Sequence, residues 1–208
     1  MKYYAEFDTD KIIREKFFPD FSYMGTMVEV GAGPTVFYSM SKHFRENGWR
    51  CICVEPNPKF VNEHKSLGNE IYPFACSYEE KDSTFKIVQK TGKEDLKDKN
   101  NNVSYSALDI KYQIKDSEPH IIKEIPIKVI KLNTLLEDLK IEKIDFISID
   151  TEGWELEVMM GFDVEKYSPK VIILENYTYL DSYVEYMNKI GYELFDKVKY
   201  NYIFVKKK

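Results

Sequence analysis

The stretch from Thr26 to Pro58, TMVEVGAGPTVFYSMSKHFRENGWRCICVEPNP, restricts the fold more than any other part of the chain. Met27 to Val30 reads as a buried strand, Gly31-Ala32-Gly33 as a turn, Val36 to Asn47 as a helix closed by Gly48, and Cys51 to Glu55 as a second strand. This is one βαβ unit of about 30 residues, which implies a parallel sheet.

Two acids give the unit a chemical direction. Glu29 precedes the turn and Glu55 ends the second strand, so both are expected at the carboxyl edge of the sheet, where open α/β folds bind ligands. Gly31 and Gly33 lack a Cβ and let a ligand approach the backbone. A nucleotide is the natural occupant, with Glu55 accepting from both ribose hydroxyls. A dinucleotide fingerprint would place a third glycine at position 36, where this chain has Val36. An anion at Glu29 repels a pyrophosphate but attracts the ammonium and sulfonium of S-adenosylmethionine. A two-glycine α/β turn without any ligand is the alternative.

Composition narrows the partners. The 208 residues, 43% hydrophobic and 15% aromatic, suit one domain spanning 1–208. A net charge of −5 gives no basic field for nucleic acid, and 27 lysines against three arginines leave few bidentate phosphate clamps. The start MKYYAEFDTDK has no apolar leader core and no run is long enough to span a membrane, so a cytoplasmic location without membrane partners is expected. Cys51, Cys53 and Cys76 read as buried thiols, because neither a second cysteine pair nor a histidine stands at ligand spacing.

Strand and helix patterns then alternate, which predicts a three-layer α/β sandwich. Asp8 to Phe18 reads as a helix ended by Pro19, and the segment 1–25 as a lid beside the nucleotide site. Pro58 to Lys65 reads as a helix and Ile71 to Cys76 as a strand whose Ala75-Cys76-Ser77 corner meets the same edge. Residues 78–124 read as a variable loop region, with a short strand at Thr84 to Val88, a mobile polar loop from Lys90 to Asn102, and Tyr105, Asp109 and His120 as contacts returning toward the site. Ile125 to Lys131 is a strand and Asn133 caps a helix from Thr134 to Leu139. Ile144 to Ile149, Lys170 to Leu174 and a terminal hairpin (Tyr192 to Phe195, Asn201 to Val205) complete the sheet, with a helix at Trp154 to Met160 and another at Asp181 to Ile190.

A second group of acids, Asp150, Glu152, Glu155 and Glu175 beside Asn176, ends two adjacent strands. With Glu29 and Glu55 it would line one cleft. VEVGAGP, VEPNP, FISIDTEGWELEVMMGF and VIILEN with GYELF and NYIFV together resemble the FkbM family of S-adenosylmethionine-dependent methyltransferases, from about Met27 to Val205. The resemblance implies a class I, Rossmann-like methyltransferase fold: a mostly parallel seven-stranded sheet with an antiparallel C-terminal strand. It also implies O-methylation of a sugar or other small-molecule acceptor.

By position it makes Glu29, Gly31, Ala32, Gly33 and Pro34 the methionine-binding turn. Glu55, Pro56 and Asn57 become the ribose segment, Ala75, Cys76 and Ser77 neighbours of the adenine or ribose, and Asp150 a neighbour of the methyl group. Thr35 stands where the family usually has glycine. For the chemistry, Asp150 or Glu152 is expected to accept the hydroxyl proton as attack proceeds, with Glu175 crowding them. Trp154, Asn176, Tyr177, Tyr105 and His120 are candidates for the acceptor pocket. A divalent metal shared by Asp150, Glu152 and Glu175 is a further option, though not the expected one. Self-association, a silent S-adenosylmethionine-binding module and a nicotinamide oxidoreductase stay open.

Overall fold

The computed structural model describes residues 1–90, 106–109 and 120–207, with only the backbone of 89, 90, 120 and 121. The main sheet has seven strands in the order β3-β2-β1-β7-β8-β10-β9. They are β1 (Thr26–Val30), β2 (Arg50–Val54), β3 (Ile71–Tyr72), β7 (Phe146–Ile149), β8 (Val171–Glu175), β9 (Tyr192–Val198) and β10 (Asn201–Lys206). β3, β2, β1, β7 and β8 run parallel, and β10 pairs antiparallel with both β8 and β9. The three-layer sandwich and the reversed C-terminal strand are as expected from the sequence.

Alternation along the central strands builds a core on each face. Val28, Val30, Ile52, Ile147, Ile149, Ile172 and Leu174 pack under α4 (Leu132–Asp138), α5 (Glu155–Met160) and α7 (Asp181–Lys189). Met27, Cys51, Cys53, Phe146, Val171 and Ile173 pack under α1 (Thr9–Phe17) and α2 (Met40–Glu46), with Val61 of α3 (Pro58–Ser66). A one-turn helix, α6 (Val164–Tyr167), precedes β8. The second face is sealed by rings: Trp49 lies 4.9 Å from Phe18 and 5.0 Å from Phe44, and Phe44 lies 4.6 Å from Phe146. All three cysteines are buried and free. No helix among the described residues is long and apolar enough to cross a membrane.

Several elements differ from the sequence reading. α2 begins at Met40, not Val36, because Tyr38 is held in a parallel bridge to Ala5 with a left-handed φ of 57°. The strand expected over Ile71 to Cys76 is two. Tyr72 ends β3 in the main sheet, while Ala75–Cys76 (β4) joins a separate three-stranded sheet of order β4-β6-β5. That sheet replaces much of the expected loop region, since β5 (Lys81–Lys90) and β6 (His120–Ile130) pair antiparallel along ten residues. Asn133 lies inside α4 and its side-chain oxygen accepts from the Asp163 N–H at 2.7 Å, so it ties α4 to the start of the helix at Val164–Tyr167 and does not cap its own helix. Residues 91–105, which carry most of the polar loop and Tyr105, lie outside the described residues, as does the side chain of His120.

The N-terminal segment is attached by several elements. α1 packs on α2 through the second core, and the 3-10 turn Glu6–Asp8 before it reaches Tyr200, whose hydroxyl lies 3.5 Å from Glu6 Oε1. The piece of this segment nearest the carboxyl edge is therefore that turn, not the helix expected to form a lid.

Candidate active site

Strands β1, β2 and β7 end at one cavity of about 680 Å³, a volume that includes its open mouth. The second sheet and residues 106–108 form its outer wall.

The glycine turn is shaped by the sheet itself. Gly31 has φ +82°, and a Cβ there would stand 1.7 Å from the Asp150 backbone oxygen. The bare Cα is thus required where β1 passes β7, a stricter reason than access for a ligand. The Gly31 and Ala32 N–H groups both donate to Val54 O, at 2.9 and 3.2 Å, which leaves Ala32 buried away from the cavity.

Glu55 fastens the other side of the turn. Its Oε2 accepts from Gly33 N–H at 2.9 Å and its Oε1 from Asn57 N–H at 2.7 Å, while the side chain still lines the cavity. Burial pushes its carboxyl up to about 7, against the pull of those two N–H groups. A buried acid raised above its unfolded value stabilises the fold fully below about 4.5 and loses that contribution as pH rises through about 7. Between pH 5 and 8 the ligand-free protein is therefore expected to lose up to about 3 kcal/mol through this group. Glu55→Gln is expected to flatten this part of the pH dependence. Thermal melts of the two proteins at both pH values check it, and equal slopes would refute the assignment.

His64 props the turn from behind. Its Nε2 lies 3.2 Å from Gly33 O, its Nδ1 lies 3.2 Å from Asn69 Nδ2, and burial lowers it to about 4, so the ring is neutral and donates from Nε2. Thr35, the departure from glycine, is accommodated because its N–H and hydroxyl both bind Glu63. Pro34 is buried and does not line the cavity.

Glu29 does not join the other acids. Alternation sends its side chain to the opposite face, where Oε1 accepts the Met40 N–H at 2.8 Å and so starts α2. Burial raises its carboxyl, and Ser41 and Arg45 pull it back. Glu29 does not line the cavity.

The remaining acids meet at the ends of β7 and β8. One oxygen each from Asp150, Glu155 and Glu175 lie within 4.8 Å of one another. Asp150 opens onto the cavity, yet protein surrounds it on its other sides, and this desolvation pushes it up to about 7, with Glu155 adding repulsion and the contact with Glu175 working the other way. Glu175 is raised well above the usual range by burial and then by Asp150, Glu152 and Glu155.

Glu155, which the sequence places in the second group of acids, is fully buried and structural. Its Oε1 accepts from Thr151 N–H at 2.8 Å and Gly153 N–H at 3.1 Å, and its Oε2 from the Tyr183 hydroxyl at 2.6 Å. It thereby folds the Asp150–Gly153 turn, in which Glu152 adopts a left-handed φ of 56°. Glu155→Gln puts an amide donor among these donors and is expected to cost about 1–3 kcal/mol in denaturant unfolding. A cost within about 0.3 kcal/mol would leave the turn without this explanation.

Of the residues picked from sequence, Gly31, Gly33, Glu55, Pro56, Asn57, Ala75, Cys76, Asp150, Glu152 and Trp154 line the cavity. Ser77 is buried behind it, its N–H on Ile130 O. Asn176 is fully buried and spends its amide on both backbone groups of Leu180, so it closes a loop and presents nothing to an acceptor. Tyr177 is exposed outside the cavity, 5.3 Å from the Tyr200 ring. Phe60, Phe74, Phe85 and Ser106 to Leu108 were not foreseen as lining. Phe74, next to Ala75, was the one with a sequence signal.

A parallel sheet with one reversed C-terminal strand, a glycine turn closing β1 and an acid closing β2 over a single cavity define a Rossmann-like methyltransferase domain. A family model described as the methyltransferase FkbM domain matches residues 29–194, and the chain belongs to the FkbM methyltransferase family. No curated protein matches the chain.

Proposed function

We propose that the chain uses S-adenosylmethionine to methylate a hydroxyl group of a sugar or other small-molecule or glycan acceptor. The observation that carries this reading is the charge of the cavity. Among the described residues lining it are three carboxylates, Glu55, Asp150 and Glu152, and no Lys, Arg or His. A pyrophosphate would meet only like charge there, whereas a phosphate-free cationic nucleoside meets complementary charge. The donor set therefore fits S-adenosylmethionine better than a nicotinamide dinucleotide.

When bound, that cofactor supplies a methyl group already activated by a sulfonium. Glu55 has lone pairs left on both oxygens for ribose hydroxyls. Phe60, Phe74 and Val54, with Ala75 and Cys76, give an apolar slot for the base, and the Gly31-to-Gly33 turn faces the methionine end. Asp150 and Glu152 stand where the acceptor hydroxyl must lose its proton, and Trp154 walls that end, its Nε1–H donating to Asp109 O at 3.3 Å. Holding the hydroxyl in line is worth up to about 7–11 kcal/mol in favourable cases.

Calorimetric titration with S-adenosylhomocysteine, with NAD as the comparison and Glu55→Ala as the control, tests the cofactor. Micromolar affinity for S-adenosylhomocysteine, weakened at least about 30-fold in the variant, is expected. Tighter binding of NAD would overturn the reading.

A further inference from the structure

We propose that Asp150 and Glu175, backed by Glu155, hold a divalent cation that prefers oxygen ligands. The geometry supplies the first reason. Ligands around one Ca²⁺ at 2.3–2.6 Å span up to about 5 Å, and one oxygen from each of the three residues falls within 4.8 Å of the others. A small contraction brings the set to the size of Mn²⁺ or Mg²⁺.

The second reason is an orphaned atom. Glu175 is only 9% exposed, and its Oε2 has no hydrogen-bond donor among the described residues. One oxygen of this carboxyl lies within 4.8 Å of oxygens of Asp150 and Glu155, which as carboxylates can only accept. Buried acceptors in native proteins are nearly always matched by a donor or a cation.

Charge decides between a proton and a metal ion. A single proton shared by Asp150 and Glu175 leaves two negative charges among three carboxyls in a largely buried cluster. A divalent cation leaves one, so it relieves the mutual repulsion of the buried carboxylates further than a shared proton does. Glu155 is held by four donors, the Thr151 N–H and hydroxyl, the Gly153 N–H and the Tyr183 hydroxyl, so it contributes a fixed charge while Asp150 and Glu175 supply the remaining ligands. Glu152, assigned to this set from sequence, is replaced by Glu155. Because Asp150 opens onto the cavity, the exposed side of the cation can take an acceptor hydroxyl and so orient and acidify it.

Cation binding itself does not depend on the methyl-transfer reading, and its test contains no nucleotide. The full chain, freed of metal with a chelator, is titrated with MnCl₂ while free Mn²⁺ is followed by its electron paramagnetic resonance signal. One site per chain with submillimolar affinity is expected, along with a rise in melting temperature on adding the ion. Asp150→Asn and Glu175→Gln should each weaken that site at least about tenfold, because affinity follows the count of charged ligands. Asp150→Asn provides the test if Glu175→Gln fails to fold. Absence of a site below about 10 mM, or a site unchanged in the variants, would overturn the proposal. S-adenosylhomocysteine binding in the same preparation reports on the methyltransferase reading separately.

Discussion

Gly31→Ala is expected to be the most damaging single-methyl change in the protein. A Cβ at this position would lie 1.7 Å from the Asp150 backbone oxygen, well inside contact distance. That carbonyl cannot easily retreat, because the Asp150 N–H is bonded to Val30 O at 2.9 Å and the strand before it is paired on both sides. The φ of +82° adds strain that only glycine escapes. The sum is expected to reach about 3–5 kcal/mol, the range of severe point mutations, or a fall of roughly 10 °C in melting temperature for a chain of this size. S-adenosylhomocysteine affinity should drop more than about 100-fold, since the same shift displaces both the turn and Asp150. A variant melting within 2 °C of the parent with intact affinity would show that the β1–β7 crossing is softer than these distances imply.

Asp150→Asn should separate chemistry from cofactor binding. The substitution keeps shape and removes the charge at the point where the acceptor hydroxyl must be deprotonated. Since a carboxylate is a far weaker base than an alkoxide, proton loss has to accompany attack, and groups in that role contribute about 10²–10⁴ in rate. Turnover of a competent hydroxylated acceptor, read from S-adenosylhomocysteine release, is therefore expected to fall by about that factor. Affinity for S-adenosylhomocysteine should stay within a few-fold. If Asp150→Asn and Glu152→Gln both turned over at near-parental rates, neither carboxylate would be the proton acceptor.

The parts of the site legible in the sequence were those governed by strand periodicity. Met27 to Val30 and Cys51 to Glu55 are short apolar runs ending in punctuation, so the positions of Gly31 and Glu55 at the sheet edge followed directly. The same periodicity, applied one residue further, would have put Glu29 on the other face. Its charge suggested a ligand contact, but its carboxylate was claimed by the Met40 N–H of a helix that starts four residues later than its pattern implied.

Turns obey no such period. Whether Glu152 or Glu155 joins Asp150 depends on two left-handed residues, Glu152 and Gly153, and on four hydrogen bonds to Glu155, none of which has a signature in the order of the letters. Asn176 was misjudged for a related reason, because a buried amide that serves its own loop has the same composition as one that serves a substrate. β5 and β6 were underread because lysines and acids interrupt their apolar positions, and their pairing partners lie some 40 residues apart.

The division of the sheet after Tyr72 separates what must be kept from what can vary. The glycine turn, Glu55 and Asp150 belong to strands whose side chains also make the two cores, so they cannot drift without unfolding the protein. Phe85 belongs to an accessory sheet, on which Ser106 to Leu108 lean through an Ala107–Lys86 bridge, and this sheet joins the frame through the Pro73-Phe74 link and the passage from Ile130 into α4. Exchange of β5 and of β6 short of Val129 for a hairpin of similar length would redraw one wall of the cavity, while Ala75, Cys76 and Ile130 stay with the frame. For an engineer it is the replaceable half of the pocket, and for a lineage it is where a change of acceptor can arise by insertion with little loss of foldedness.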